Sequence, residues 1–215
     1  MKINKYYHTL SLVSKGLIAL IAIVGVLMQA GAFGGTGFGI GSLRMFTTLS
    51  NIFIFIYFLT DFIYQLVKKE NKDIYPIIKF SAVVSITLTG LVALFLLGGM
   101  MKGLGGTLKI AIILLHDVVP ILAVLDYILF TKGFNSKYKM VPYALIFPLF
   151  YCILAMILGT YTAFFGAVGT YPYPFMDVNT LGIGMVLLTI LIISALLTLY
   201  SFLLLFLNNK LNKIE

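Results

Sequence analysis

The chain has 215 residues, of which 61% are hydrophobic and only 10% charged, with a mean hydropathy of +1.08. A soluble globular domain runs nearer a quarter charged, so that class is excluded, and six spans of roughly 20 residues each leave no room for a sizeable domain outside the membrane. The formal charge of +8 does not point to nucleic acid, because the basic residues sit at helix ends instead of along one stripe.

Apolar runs fall at 10–33, 44–67, 77–97, 108–130, 141–165 and 181–207, each long enough to cross the hydrocarbon at about 1.5 Å per residue. The expected fold is all-α: a single integral membrane domain over 1–215, a bundle of six transmembrane helices. The first run carries a second reading, since Lys2, Lys5, an apolar core and Ala30-Gly31-Ala32 imitate a secretory signal; it is longer than a usual signal core and reads as a span. The breaks carry turn chemistry: the glycines of 31–41, the charged Lys68 to Asp73 with Pro76, the glycines of 98–106, Thr131 to Lys139, and Gly166 to Asp177 with Pro172 and Pro174. Pro120 and Pro148 fall inside runs and are expected to kink them.

Lysine and arginine counts set the expected orientation. The N-terminal arm (Lys2, Lys5, Lys15), the second loop (Lys68, Lys69, Lys72, Lys79), the fourth loop (Lys132, Lys137, Lys139) and the tail (Lys210, Lys213) hold twelve, against three for Arg44, Lys102 and Lys109. Both termini are therefore expected in the cytoplasm, in what reads as a bacterial cytoplasmic membrane. Tyr6, Tyr7, Tyr64, Tyr75, Tyr138, Tyr143, Tyr171 and Tyr173 supply the interfacial belt in a chain without tryptophan. Cys152 can form no internal disulfide, and no metal-ligand spacing, dinucleotide fingerprint or phosphate loop occurs, so no cofactor or metal is expected.

Chemistry must then reside in the few polar groups of the spans, each of which costs a few kcal/mol in hydrocarbon unless it faces protein or water. Thr47, Thr48 and Asn51 lie near the start of the second span, and His116 with Asp117 lies about eight residues into the fourth, which enters from the same side. Hydroxyl and imidazole are expected at one depth. A hydroxyl beside an imidazole is the least apparatus for acyl transfer, because the neutral alcohol attacks well only when a base takes its proton. The competing assignment is structural: hydroxyls of membrane helices bond back to a carbonyl one turn earlier, and a buried histidine or asparagine ties helices together. Asn51, one turn after Thr47, shares its face and is a candidate to orient the hydroxyl or donate to an oxyanion. Asp61 and Asp126 form a second polar level near the opposite ends of the same two helices, paired with lysines of the second and fourth loops. The link Gly169 to Asp177, G-T-Y-P-Y-P-F-M-D, reads as a lid or an interfacial anchor, with Tyr171 and Tyr173 at a substrate entrance and Asp177 a candidate to hydrogen-bond a histidine.

Six spans, R-M-F-T-T-L-S-N (Arg44 to Asn51), L-T-D (Leu59 to Asp61), L-L-H-D-V-V-P-I-L-A-V-L-D (Leu114 to Asp126) and Y-P-Y-P-F-M-D before the last span together resemble the bacterial six-span proteins related to the androgen-induced integral membrane hydrolases. The resemblance covers most of the chain. It implies an intramembrane hydrolase that cleaves fatty acid esters of hydroxy fatty acids with a threonine nucleophile and a histidine. Carried over, the histidine falls on His116 through H-x-x-x-P and the threonine on Thr47, with Thr48 as the alternative.

The expected function is hydrolysis of a lipid ester, with Thr47 as nucleophile, His116 as base and then acid, and Asn51 or a backbone amide as oxyanion donor. The alternatives are a carrier or channel with a proton or cation relay through Asp61, His116, Asp117 and Asp126, and a non-catalytic lipid-binding protein. The expected partners are membrane lipids or the lipid ester itself, with no nucleic acid.

Overall fold

In the computed structural model, which describes residues 5–34, 37–70, 72–97, 105–131, 138–161 and 170–212, six helices are long and apolar enough to cross a membrane. They are α1 (Lys5–Ala30), α2 (Phe46–Lys68), α3 (Pro76–Val92, continued by a π-helical turn over Ala93–Leu97), α4 (Gly106–Phe130 in all), α5 (Val141–Tyr161) and α6 (Val178–Asn212). No strand occurs among the described residues. The all-α bundle of a membrane protein is thus the architecture, and the helix boundaries follow local chemistry.

Gly31 ends α1 at a φ of 89°, its N–H bonded to the Met28 carbonyl and that of Ala32 to the Leu27 carbonyl, the double cap that a left-handed residue permits. Pro76 opens α3 at a position where its missing N–H costs nothing. The expected end of the fifth span, 162–165, lies outside the described residues. α6 is longer at both ends than its apolar run, and its first turn is set off by Gly182, which is non-helical at φ 74°.

α3 is the centre of the bundle and packs against α2, α4, α5 and α6, while α1 packs against α2 and α4. Ile18, Ile54, Phe58, Phe80, Val83, Ile86, Val119, Ala123, Leu204 and Leu205 make the main core. Leu17, Leu20, Ile121, Leu125, Leu188, Leu191 and Leu199 point outward, as side chains facing acyl chains should.

α4 is the irregular helix, and its irregularity centres on His116. Pro120 has no N–H to give the His116 carbonyl, and the helix widens into a π turn over Leu114–Val118. Two glycines let neighbours close on this turn. A Cβ on Gly90 of α3 would meet the His116 carbonyl at 2.9 Å, and one on Gly25 of α1 would meet Leu115 Cδ2 at 2.7 Å. Small residues at such crossings are how membrane helices approach closely. Pro148 lies inside α5 as expected.

Candidate functional site

Thr47 belongs to the first turn of α2, where backbone N–H groups have no partner within the helix and no side chain caps the turn from Met45. Tyr173, from the link before α6, meets that turn. Its phenol is hydrogen-bonded with the Thr47 hydroxyl and accepts from the backbone N–H groups of Phe46 and Thr47. Burial pushes the Tyr173 phenol above its ordinary range, and these hydrogen bonds only partly offset it, so it stands as a neutral hydroxyl. Tyr151 of α5 closes the group, donating to the Arg44 carbonyl at 3.1 Å beside Tyr173.

Across from Thr47 stands His116. Its Nδ1 lies 3.4 Å from the Thr89 carbonyl; a carbonyl can only accept, so this contact holds the Nδ1–H tautomer and leaves Nε2 as the basic nitrogen. The Thr89 hydroxyl is in turn 2.7 Å from Ser50 Oγ. Thr47, Thr89, His116, Tyr151, Cys152 and Tyr173 line one cavity of about 40 Å³, walled by Phe46, Leu88, Val92, Pro148, Met176 and Ile193. Leu88, Val92 and Ile193 also line a second, neighbouring space of about 280 Å³ between α3 and α6. That groove is apolar apart from Thr189, and its Leu91, Phe95, Leu96, Ile192 and Leu196 are exposed on the outer surface of the bundle. A small, largely apolar chamber edged by Thr47, Thr89, His116 and Tyr173 therefore adjoins a larger lateral groove.

The remaining expected site residues separate cleanly. Thr48, one residue and about 100° round the helix from Thr47, turns toward α1 and donates to Gln29 Oε1 at 3.2 Å. Asn51 is on the expected face, but its amide donates to the Thr47 carbonyl at 2.8 Å and the Leu115 carbonyl at 3.3 Å; it ties α2 to α4 and has no donor to spare for the cavity. Asp117 is exposed on the outward face of α4, away from the lining. Asp177 caps α6, accepting from the Asn179 and Thr180 backbone N–H groups at 2.9 and 3.3 Å and from the Thr180 hydroxyl at 2.8 Å. The Thr180 hydroxyl bond holds its carboxyl below the usual carboxylate range. Tyr171 packs inward, its ring 2.5 Å from where a Cβ on Gly159 would stand, so of the two link tyrosines only Tyr173 reaches the cavity. The beginning of that link, including Gly166 and Gly169, lies outside the described residues.

Asp61 and Asp126 are brought together at the other polar level, with partners that the loop assignment misplaced. Lys15 and Lys79, counted among the solvent-side cations, are fully buried. Lys15 Nζ lies 3.3 Å from Asp126 and 3.8 Å from both Asp61 and Asp73, while Lys79 Nζ lies 2.7 Å from Asp126 and 3.0 Å from Asp73. Sequence reading missed both lysines as interior residues; the available signal was Ser11 one turn before Lys15 on the same face, whose hydroxyl accepts from Nζ at 2.9 Å. About 15 Å of helix separates Asn51 from Asp61 and His116 from Asp126, filled by Ile54, Phe58, Val83, Ile86, Val119 and Ala123. Among the described residues no group of three or more histidine, cysteine or acidic side chains is arranged to hold a metal.

Compared with protein-family models, with curated proteins and with solved structures, the chain matches none.

Proposed function

We propose that this protein is an intramembrane hydrolase of lipid esters, with Thr47 as nucleophile and His116 as base. The observation that carries the reading is that Thr47 and His116 line one chamber that shares the walls Leu88, Val92 and Ile193 with a lateral apolar groove. The chamber has room for the ester carbonyl and a water, and the groove takes the acyl chain from the side of the bundle. In the first half-reaction the Thr47 hydroxyl adds to the ester carbonyl as His116 Nε2 accepts its proton; collapse of the adduct breaks the bond to the alcohol, which leaves with that proton. Water then adds to the acyl-threonine by the same base, releasing the fatty acid and restoring the hydroxyl.

The oxyanion needs donors in place before attack. Asn51 is committed elsewhere, and the backbone N–H groups of Phe46 and Thr47 fit the part: they stand at a helix N-terminus, where the dipole favours negative charge, and at rest they hold the Tyr173 oxygen. The substrate carbonyl oxygen takes the place of that phenol, which makes the link before α6 a lid whose tip must move. The Lys and Arg distribution still favours termini on the cytoplasmic side of a bacterial membrane after Lys15 and Lys79 are removed from it, leaving ten against three. The relay alternative is less well supported, since Asp117 faces outward and core side chains stand between the two polar levels.

The test is lipid-ester hydrolysis by the full chain in liposomes. Thr47→Ala and His116→Ala should each reduce hydrolysis to background, and the double variant should be little worse than either, because the two groups act as a unit. Full activity in Thr47→Ala, or in His116→Gln, would reject the reading.

A further inference from the structure

The charged cluster at the end of the bundle where α1 begins is independent of the hydrolase reading. Lys15 comes from α1, Asp61 from α2, Asp73 from the α2–α3 link, Lys79 from α3 and Asp126 from α4. None of the five is more than 4% exposed. Among the described residues their formal charges do not balance: two ammonium groups face three carboxylates. In water the surplus would be screened, but inside a bundle an uncompensated charge costs several kcal/mol, and a group so placed takes up or loses a proton instead.

The geometry also says which carboxylate stays charged. Asp126 touches both ammonium groups, at 3.3 and 2.7 Å, and accepts from Ser14 as well. Asp61 has one lysine at 3.8 Å; otherwise it accepts from Gln65 Nε2 at 3.1 Å and the Ile74 backbone N–H at 3.0 Å. Asp73 gives Oδ1 to Lys79 at 3.0 Å and to Lys15 at 3.8 Å, while its Oδ2 is buried with no hydrogen-bond partner among the described residues. The Tyr57 hydroxyl of α2 lies within electrostatic range of the three carboxylates, Asp73 and Asp61 ahead of Asp126. An orphaned carboxylate oxygen beside a second, weakly paired carboxylate is the place for one proton.

We propose that Asp61 and Asp73 form a proton-binding site, the pair sharing one proton that balances the cluster against Lys15, Lys79 and Asp126. The proton comes from the aqueous phase at the terminal side, which the α2–α3 link borders through exposed Lys69, Glu70 and Lys72. It is assigned to the pair and not to one residue because both carboxylates stand 3.8 Å from the same Lys15 Nζ. Loss of the proton sets two adjacent carboxylates in repulsion, and because Asp61 also holds the Ile74 N–H, the link is the element that would yield.

The test is infrared spectroscopy of the full chain in an alkyl maltoside detergent, which has no carbonyl of its own. Asp117, exposed midway along α4, is replaced by Asn throughout so that it cannot contribute. The expected result at neutral pH is a carboxylic acid carbonyl band that shifts in D2O, disappears in Asp61→Asn and in Asp73→Asn, roughly doubles in Lys79→Met, and moves without loss in Asp73→Glu. Absence of the band at neutral pH in the parent chain would overturn the proposal without any further variant. So would a band that survives both asparagine substitutions, or one that sodium ions abolish at fixed pH, which would make the ligand a metal cation.

Discussion

The two polar levels of this bundle are built on opposite terms. Among the described residues, the polar groups of the chamber around Thr47 and His116 are neutral hydroxyls, the Cys152 thiol, one imidazole and backbone groups, and its histidine is held by a long hydrogen bond. The cluster around Asp126 contains five formal charges drawn from five segments and joined by contacts as short as 2.7 Å. Neutral groups can be left loosely partnered next to hydrocarbon at modest cost, and loosely partnered groups are the ones free to attack or take a proton. Charges cannot be left so. The cluster therefore serves as the clasp of the bundle, and the chamber is the part that can work.

The sharpest way to break this comparison is to exchange the roles. Thr47→Ala and His116→Ala should eliminate activity with the thermal midpoint of the detergent-solubilised protein nearly unchanged, since each substitution removes a polar group that is costly to bury. Lys79→Met should do the reverse, lowering stability by about 3–5 kcal/mol because it removes the shortest contact to both Asp126 and Asp73 and leaves Lys15 as the one cation for three buried carboxylates. Adding Asp126→Asn to Lys79→Met should recover much of that loss. A chemical or thermal unfolding series read by circular dichroism checks the stability half of both statements, and equal losses in the two sets would erase the distinction.

Gly25→Val and Gly90→Val probe what lies between, the closeness of α1 and α3 to the π turn of α4. Both should cost about 1–3 kcal/mol through overpacking, and Gly90→Val should also impair hydrolysis, since the atom it strikes is the His116 carbonyl itself. Gly90→Val with unchanged activity would mean that the π turn does not position the imidazole.

These glycines show where sequence reading stops. The spans were legible because apolar length is a local property, and the shared depth of Thr47 and His116 followed from counting residues along helices that enter from one side. Gly25 and Gly90 have no such signature: each is small because of a side chain or carbonyl on another helix. Lys15 and Lys79 were read as loop cations because they stand near helix ends in the sequence, whereas their partners lie on three other segments. Likewise the choice between Thr47 and Thr48 depends on what each meets across the bundle, Tyr173 in one case and Gln29 in the other. Asn51 lies on the face its spacing requires, yet the carbonyls that occupy it could be seen only in three dimensions.

Smaller effects test the proposed lid. Tyr173→Phe keeps the ring but removes the hydrogen bonds that substrate must displace, so KM should fall by a few-fold, worth about 1 kcal/mol, while kcat holds. A fall in kcat instead would make the phenol a participant in the chemistry. The smallest effect is expected at Asp177. Its carboxyl is held below the ordinary range in the folded protein, so its contribution to stability is present above the ordinary carboxylate pKa and is lost as pH falls through the lowered folded value. Asp177→Ala should therefore loosen the start of α6 slightly at neutral pH, remove that acid dependence and leave hydrolysis intact. Hydrogen exchange across 178–181 is the readout.

The central claim is that Thr47 is the nucleophile of a membrane-embedded hydrolase, and the most direct measurement is to find the residue that an ester-like phosphonate marks. The purified full chain is treated with an alkyl fluorophosphonate and the modified peptide is located by mass spectrometry. The account predicts one adduct, on Thr47, that is absent from Thr47→Ala, strongly slowed in His116→Ala and preserved in Thr48→Ala. An adduct on Thr48 or Ser50, or none on the folded protein, would contradict it.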